Sequence, residues 1–143
     1  MDKKTIEETL RDIAAEHFPD YSYVFETWED ADRELERLSY PAIVCIMPTG
    51  GETRIKNGRV FDTEYLAIAF LDLAPRDAEG SENAEIYNRM KVAGWNFIET
   101  VNRTRLFEPI ATCPYDTICE RLATIVTGVM FSLTLREQQG RCM

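Results

Sequence analysis

An α+β domain, with a mixed or mostly antiparallel sheet and about three helices packed on it, is what this sequence predicts. Three observations predict it. The first is the closing apolar stretch at 125–135, where Ile125, Thr127, Val129, Phe131, Leu133 and Leu135 alternate with Val126, Gly128, Met130, Ser132 and Thr134. A period of two marks a half-buried strand. The second is Asn57-Gly58, set between Thr53-Arg54-Ile55 and Arg59-Val60-Phe61, which is the dipeptide of a type I′ hairpin. The third is the run at 65–73, apolar on both faces and therefore expected at the centre of a sheet.

The remaining elements follow in order. Residues 3–17 form the first helix, because Ile6, Leu10, Ile13 and Ala14 recur at helical spacing. Thr5 and Glu8 offer a capping box near its start, and Pro19 ends it. A short strand at 21–25 comes next. Thr27 is placed to cap a second helix over 29–39, with Ala31, Leu35 and Leu38 facing inward. Pro41 opens a buried strand at 42–47, followed by a loop at 48–51. After a polar connection, Ser81 caps the longest helix, 82–101, whose stripe is Ile86, Met90, Ala93, Phe97 and Val101. Asn102 and Arg103 end that helix. An edge-like strand at 106–112 is interrupted by Pro109, and a segment at 115–122, itself a candidate strand, leads to the closing strand. Residues 137–143 lean towards disorder. No repeat or linker divides the chain, so residues 1–143 read as one domain, with the helices expected on one face of the sheet.

Composition narrows the function classes. The 143 residues are 45% apolar and 29% charged, ordinary for a globular chain that builds a core without disulfides. No apolar run reaches transmembrane length, and the N-terminus leads into an amphipathic pattern without signal-peptide character. No membrane association is expected, and the protein is expected to stay inside the cell that makes it. Much of the net charge of −9 lies early, since residues 1–40 hold twelve acids and five bases. Acidic surface repels phosphate, so direct sequence-specific nucleic-acid binding is not expected.

Chemistry is sparse. His17 is the single histidine and sits where a helix C-terminus favours a partial positive charge. Cys45 lies in an apolar run, and Cys113 and Cys119 are spaced too far apart for a zinc knuckle. Gly50-Gly51 lacks the lysine of a phosphate loop, and Asp62, Glu64, Asp72 and Asp77 lack the calcium-loop register. No nucleophile elbow, zinc-protease or dinucleotide motif is present. No catalytic, metal or cofactor-binding residue is therefore expected, and no enzyme. The aromatics Tyr21, Tyr23, Phe25 and Trp28, with Trp95 off the long helix's stripe, are candidate binding anchors. Core packing is the competing role for Tyr23 and Phe25.

An acidic N-terminal helix precedes the apolar strand that ends at Pro48. The hairpin and the long strand at 65–73 follow, then the long helix and a closing strand that starts at Thr127-Gly128. This order resembles the tail-terminator (tail-completion, head–tail joining) proteins of long-tailed bacteriophages and prophages, over about residues 5–136. The resemblance implies a homo-oligomeric ring, commonly hexameric, that caps the tail tube at the head–tail junction without catalysis or cofactor. Implied partners are other copies of the chain, the tail tube and head-completion proteins. The protein would be cytoplasmic during assembly and part of the virion tail afterwards. Acidic surface lining such a ring would let DNA slide through. The hairpin and the 48–51 loop would then meet neighbouring subunits, naming Thr49, Gly50, Arg54, Lys56, Asn57 and Arg59 as interface residues, with Trp28 as a further candidate. The alternative is a small intracellular protein-binding or regulatory module that grips a partner through the aromatics of 21–28.

Overall fold

The computed structural model describes residues 4–27, 30, 37–74, 80–121 and 125–142. The elements are α1 (Ile6–His17), β1 (Ser22–Glu26), β2 (Ala42–Lys56), β3 (Arg59–Leu73), α2 (Gly80–Thr104), β4 (Tyr115–Arg121), β5 (Ile125–Arg136) and β6 (Arg141–Cys142). Five strands run β1-β2-β3-β5-β4 across a mixed sheet, and β6 adds to β3 beyond the end of β5. Only β1 against β2 is parallel. β3, apolar on both faces over 65–73, lies inside the sheet between β2 and β5, as that patterning requires.

Local chemistry sets both helices. The Thr5 side chain accepts from the Glu8 N–H, and the Glu8 carboxylate accepts from the Thr5 N–H, each at 3.1 Å. This reciprocal box satisfies two amides at the start of α1. Ile6, Leu10, Ile13 and Ala14 are buried beneath it, and Ile86, Met90, Ala93, Phe97 and Val101 are buried along α2. The core lies between these stripes and one sheet face. Its centre is three rings: Phe97 stands 5.6 Å from Phe70, and Phe70 6.0 Å from Phe131, both pairs edge-on. Gly94 allows α2 this close to β5, because a Cβ there would lie 2.1 Å from the Phe131 ring. Asp72, near the end of an apolar strand, accepts from Arg89 of α2 at 2.7 Å and ties the helix to β3.

The opposite sheet face carries a smaller cluster, Val44, Ile46, Ala69, Leu71 and Val126, against which Leu38 and Tyr40 pack. Both described helices, α1 and α2, lie on one face, while Leu38 and Tyr40 cover part of the other. The second expected helix, at 29–39, falls largely outside the described residues, so two helices stand among them where about three were expected. Thr27 Oγ1 accepts from the Asp30 N–H at 3.4 Å as a cap would, but residues 37–39 are turn and coil.

Three further expectations are corrected. Residues 48–51 are not a loop. β2 continues through them, with a bulge between Ile46 and Gly50 that shifts its register on β3. Gly51 permits the close pairing that follows, since a Cβ would lie 2.1 Å from the Thr63 carbonyl oxygen. Residues 106–112 form no strand. Phe107 makes one bridge to Glu137, and Pro109 has no N–H to extend a ladder. The Asn102 side chain instead holds Ile110 from both sides, donating to its carbonyl at 3.1 Å and accepting from its N–H at 2.8 Å. Finally, residues 137–142, expected to lean towards disorder, pair with the rest of the chain, Glu137 bridging to Phe107 and β6 pairing with β3 at the arm described next.

Candidate assembly surface

Beyond the bulge, β2 and β3 run on past the end of β1 as a hairpin arm, whose β3 side is paired with β5 at 63–65 and with β6 at 59–60. β1 pairs with β2 only at 42–46, so residues 50–56 pair with β3 alone. Among the described residues, the other edge of that segment carries no strand. Asn57 and Gly58 close the arm with φ of 53° and 74°, the left-handed pair that a type I′ turn demands. Near the tip the Arg54 guanidinium lies 4.7 Å from the centroid of the Phe61 ring. Arg59 donates to the Gly140 carbonyl at 3.5 Å. Lys56 and Ile55 are exposed, Ile55 at 62%.

The C-terminal segment braces the β3 side of this arm up to its tip. Glu137 is buried, and its carboxylate accepts from Arg141 Nη2 at 2.9 Å, from Arg141 Nε at 3.2 Å and from the Asp62 N–H at 3.0 Å. Arg141 also donates to the Lys4 carbonyl at 3.1 Å, and its strand β6 pairs with Arg59 and Val60. A buried carboxylate with a charged partner and backbone donors holds a chain end that propensity alone would leave loose.

Glu64 faces this cluster. Burial, then the neighbouring Asp62 and Glu137 carboxyls, push it up to about 7 from an ordinary 4.5. A carboxyl raised in this way binds a proton in the folded chain where the unfolded chain has released it. Stability should therefore fall as pH rises from about 4.5 to about 7, and stay level above that as far as this group is concerned. In thermal melts, Glu64→Gln should flatten that part of the profile and raise Tm relative to the parent at pH 8. An unchanged slope would show that Glu64 is not the group responsible.

A second exposed surface lies at the other end of the sheet. β4 pairs with β5 on one side, and among the described residues its outer edge is open. On the adjoining helix, the Lys91 ammonium stands 4.5 Å from the centroid of the Tyr87 ring, 5.7 Å from that of Trp95 and 5.6 Å from that of Tyr115 on β4. This cation–π cluster gathers three aromatic rings at the surface. Trp95 is 52% exposed, Val92 46% and Tyr115 44%. That Trp95 lies off the core stripe was legible; its meeting with Tyr115 was not, although Tyr87, Lys91 and Trp95 at intervals of four mark a second stripe on α2.

The remaining candidates disperse. Arg54, Lys56, Asn57 and Arg59 are gathered on the arm; Thr49 and Gly50 lie in its bulged root, not on a separate loop. Trp28 lies outside the described residues. Tyr21, Tyr23 and Phe25 are half-buried and pack on the core, with the Tyr23 hydroxyl donating to Glu7 at 3.0 Å. His17 is half-exposed at the end of α1, 4.0 Å from Glu16. Burial pushes the Cys45 thiol up to about 12. Among the described residues, no three His, Cys, Asp or Glu side chains are grouped to hold a metal ion. No helix there is long and apolar enough to cross a membrane. A shallow groove of about 390 Å³ on the second sheet face, lined by Thr49, Tyr65, Ala67, Pro114, Ser132 and Thr134, holds no histidine, cysteine or carboxylate. Comparison with known proteins gives no match to any family model and none to any curated protein.

Proposed function

We propose that this chain is a structural tail protein of a long-tailed phage or prophage. In this reading it is tail-terminator-like, forming a ring, commonly hexameric in such proteins, that caps the tail tube at the head–tail junction. The observation that carries the reading is the arm: a braced hairpin with an open edge and three bases near its tip, on a chain of net charge −9. A closed ring needs two different surfaces per subunit, one meeting the other. The arm and the aromatic β4 end provide two such surfaces. Its partners are further copies of the chain, the tail tube and head-completion proteins. No active site, metal or cofactor enters this role. The subunit is made in the cytoplasm and ends in the virion. Acidic surface suits a ring that DNA traverses, because it repels phosphate and does not grip it.

The test is mass in solution by light scattering at several concentrations, with and without the tail tube protein of the same phage. A ring-sized species in either case is the expected result. A monomer under every condition would sink the reading.

A further inference from the structure

The sheet leaves two different strand edges open among the described residues: 50–56 of β2 and 115–121 of β4. An open edge is a template for another strand, because its amides and carbonyls have no ladder partner. Strand direction makes these two edges compatible. β2 opposes β3, β3 opposes β5, and β5 opposes β4, so β2 and β4 run in opposite directions. A second copy in the same orientation can therefore offer its arm to β4 as an antiparallel neighbour, with neither sheet turned over.

The two faces also match. Tyr115 pairs with Phe131, which puts Tyr115 and Thr117 on the helix-covered face, and Asp116 and Ile118 on the other. Ile55 pairs with Val60 and Thr53 with Asp62, positions in phase with Leu66 and Ile68 of the core. Thr53 and Ile55 thus share the helix-covered face, and Arg54 and Lys56 lie on the opposite one. Setting Ile55 opposite Tyr115 places Arg54 opposite Asp116 and Thr53 opposite Thr117. Each pair is complementary: apolar on aromatic, base on acid, threonine on threonine. Ile55 is the most exposed large apolar side chain on the arm, and it would meet the end of the molecule where Tyr115 and Trp95 share the Lys91 ammonium.

The acids of α1 offer the arm less. Glu7 accepts from Tyr23, Glu8 caps its own helix, and Asp12 pairs with Lys4.

We infer that copies of this chain join head to tail by strand addition, the arm edge of one pairing antiparallel with β4 of the next through Ile55–Tyr115 and Arg54–Asp116. This rests on the ring reading for its second copy, and it specifies how the two surfaces of that reading pair.

The experiment uses the full chain with Cys113, Cys119 and Cys142 replaced by serine and the buried Cys45 kept. Thr53→Cys is made in one preparation and Thr117→Cys in another, both at exposed positions. Cross-strand partners stand about 4.5–5.5 Å apart at Cα, within disulfide reach. Mild oxidation of the mixture should give a disulfide-linked dimer, while either variant alone should give none. A chain carrying both cysteines should give a ladder of linked species. Light scattering on the same samples separates the two levels of failure. A ring-sized species without the mixed cross-link, or with self-linking of a single variant, overturns the pairing and leaves the ring. A control mixture of Thr53→Cys with Glu8→Cys that cross-links instead would place the arm on α1 and also overturn it. Monomers in every sample, with or without the tube protein, overturn both.

Discussion

Phe131→Ala is expected to lower the free energy of unfolding by about 3–5 kcal/mol, the usual cost of emptying a buried aromatic site. A domain of this size has a total of about 5–15 kcal/mol, so the loss is a large share of it. The cost should fall at the high end because the site cannot collapse. Phe131 is 1% exposed, with the Phe70 ring 6.0 Å away on one side and Tyr115 5.7 Å away on another. α2 is held over it by a ladder of buried residues from Ile86 to Val101. Gly94 provides an internal check, since its missing Cβ would sit 2.1 Å from Phe131. Gly94→Ala alone should destabilise through overpacking, despite alanine's better helix propensity. In the Phe131→Ala background the same change should recover part of the loss, because the methyl group enters space the ring has left. Urea denaturation of the two single variants and the double variant measures this coupling. Additive losses would mean that α2 shifts to absorb each change separately.

The second large effect concerns assembly and leaves the fold alone. Replacing Arg54, Lys56 and Arg59 together by glutamate should abolish the ring while leaving Tm within a few degrees of the parent. The three side chains are exposed and none lies in the core. Reversing three charges takes the net charge from −9 to −15 and turns a basic projection of an acidic subunit into an acidic one. Single surface ion pairs are worth little, about 0–1 kcal/mol, but a ring repeats the loss at every interface and adds repulsion between like charges. Light scattering and a thermal melt on the same sample decide it. An intact ring would show that the arm's bases do not face the next subunit.

Both effects depend on features that differ in how far the sequence reveals them. The capping box of Thr5 and Glu8, the stripe on α2 and the Asn57-Gly58 turn were legible because each is a relation between residues a few positions apart. The central place of β3 was legible for a related reason: a strand buried on both faces must be apolar at both parities. The bulge at 46–50 was hidden, because a register shift is a property of two strands and neither carries it alone. β4 was legible only as a candidate. Its sequence holds two acids and a base, and its strand state comes from the ladder with β5 and not from its own apolar content. Residues 106–112 misled in the opposite sense, since apolar residues around Pro109 imitate a strand that the missing amide prevents.

The candidate surface divides along the same line. The bases of the arm and the turn that presents them follow from residues 53–61 alone, because hairpin geometry is written in a dipeptide and its flanks. That the arm stands clear of β1 follows only from where β1 ends, and its bracing follows from Glu137 meeting Arg141 and the Asp62 amide across 75 residues of chain. The gathering of Tyr87, Trp95 and Tyr115 around Lys91 likewise requires α2 and β4 to be packed side by side. Short-range relations of hydrogen bonding and periodicity settle most elements, and these can be read along the chain. Which edges stay open and which exposed groups become neighbours depend on how distant segments share the same space, a relation that exists only once the chain is folded.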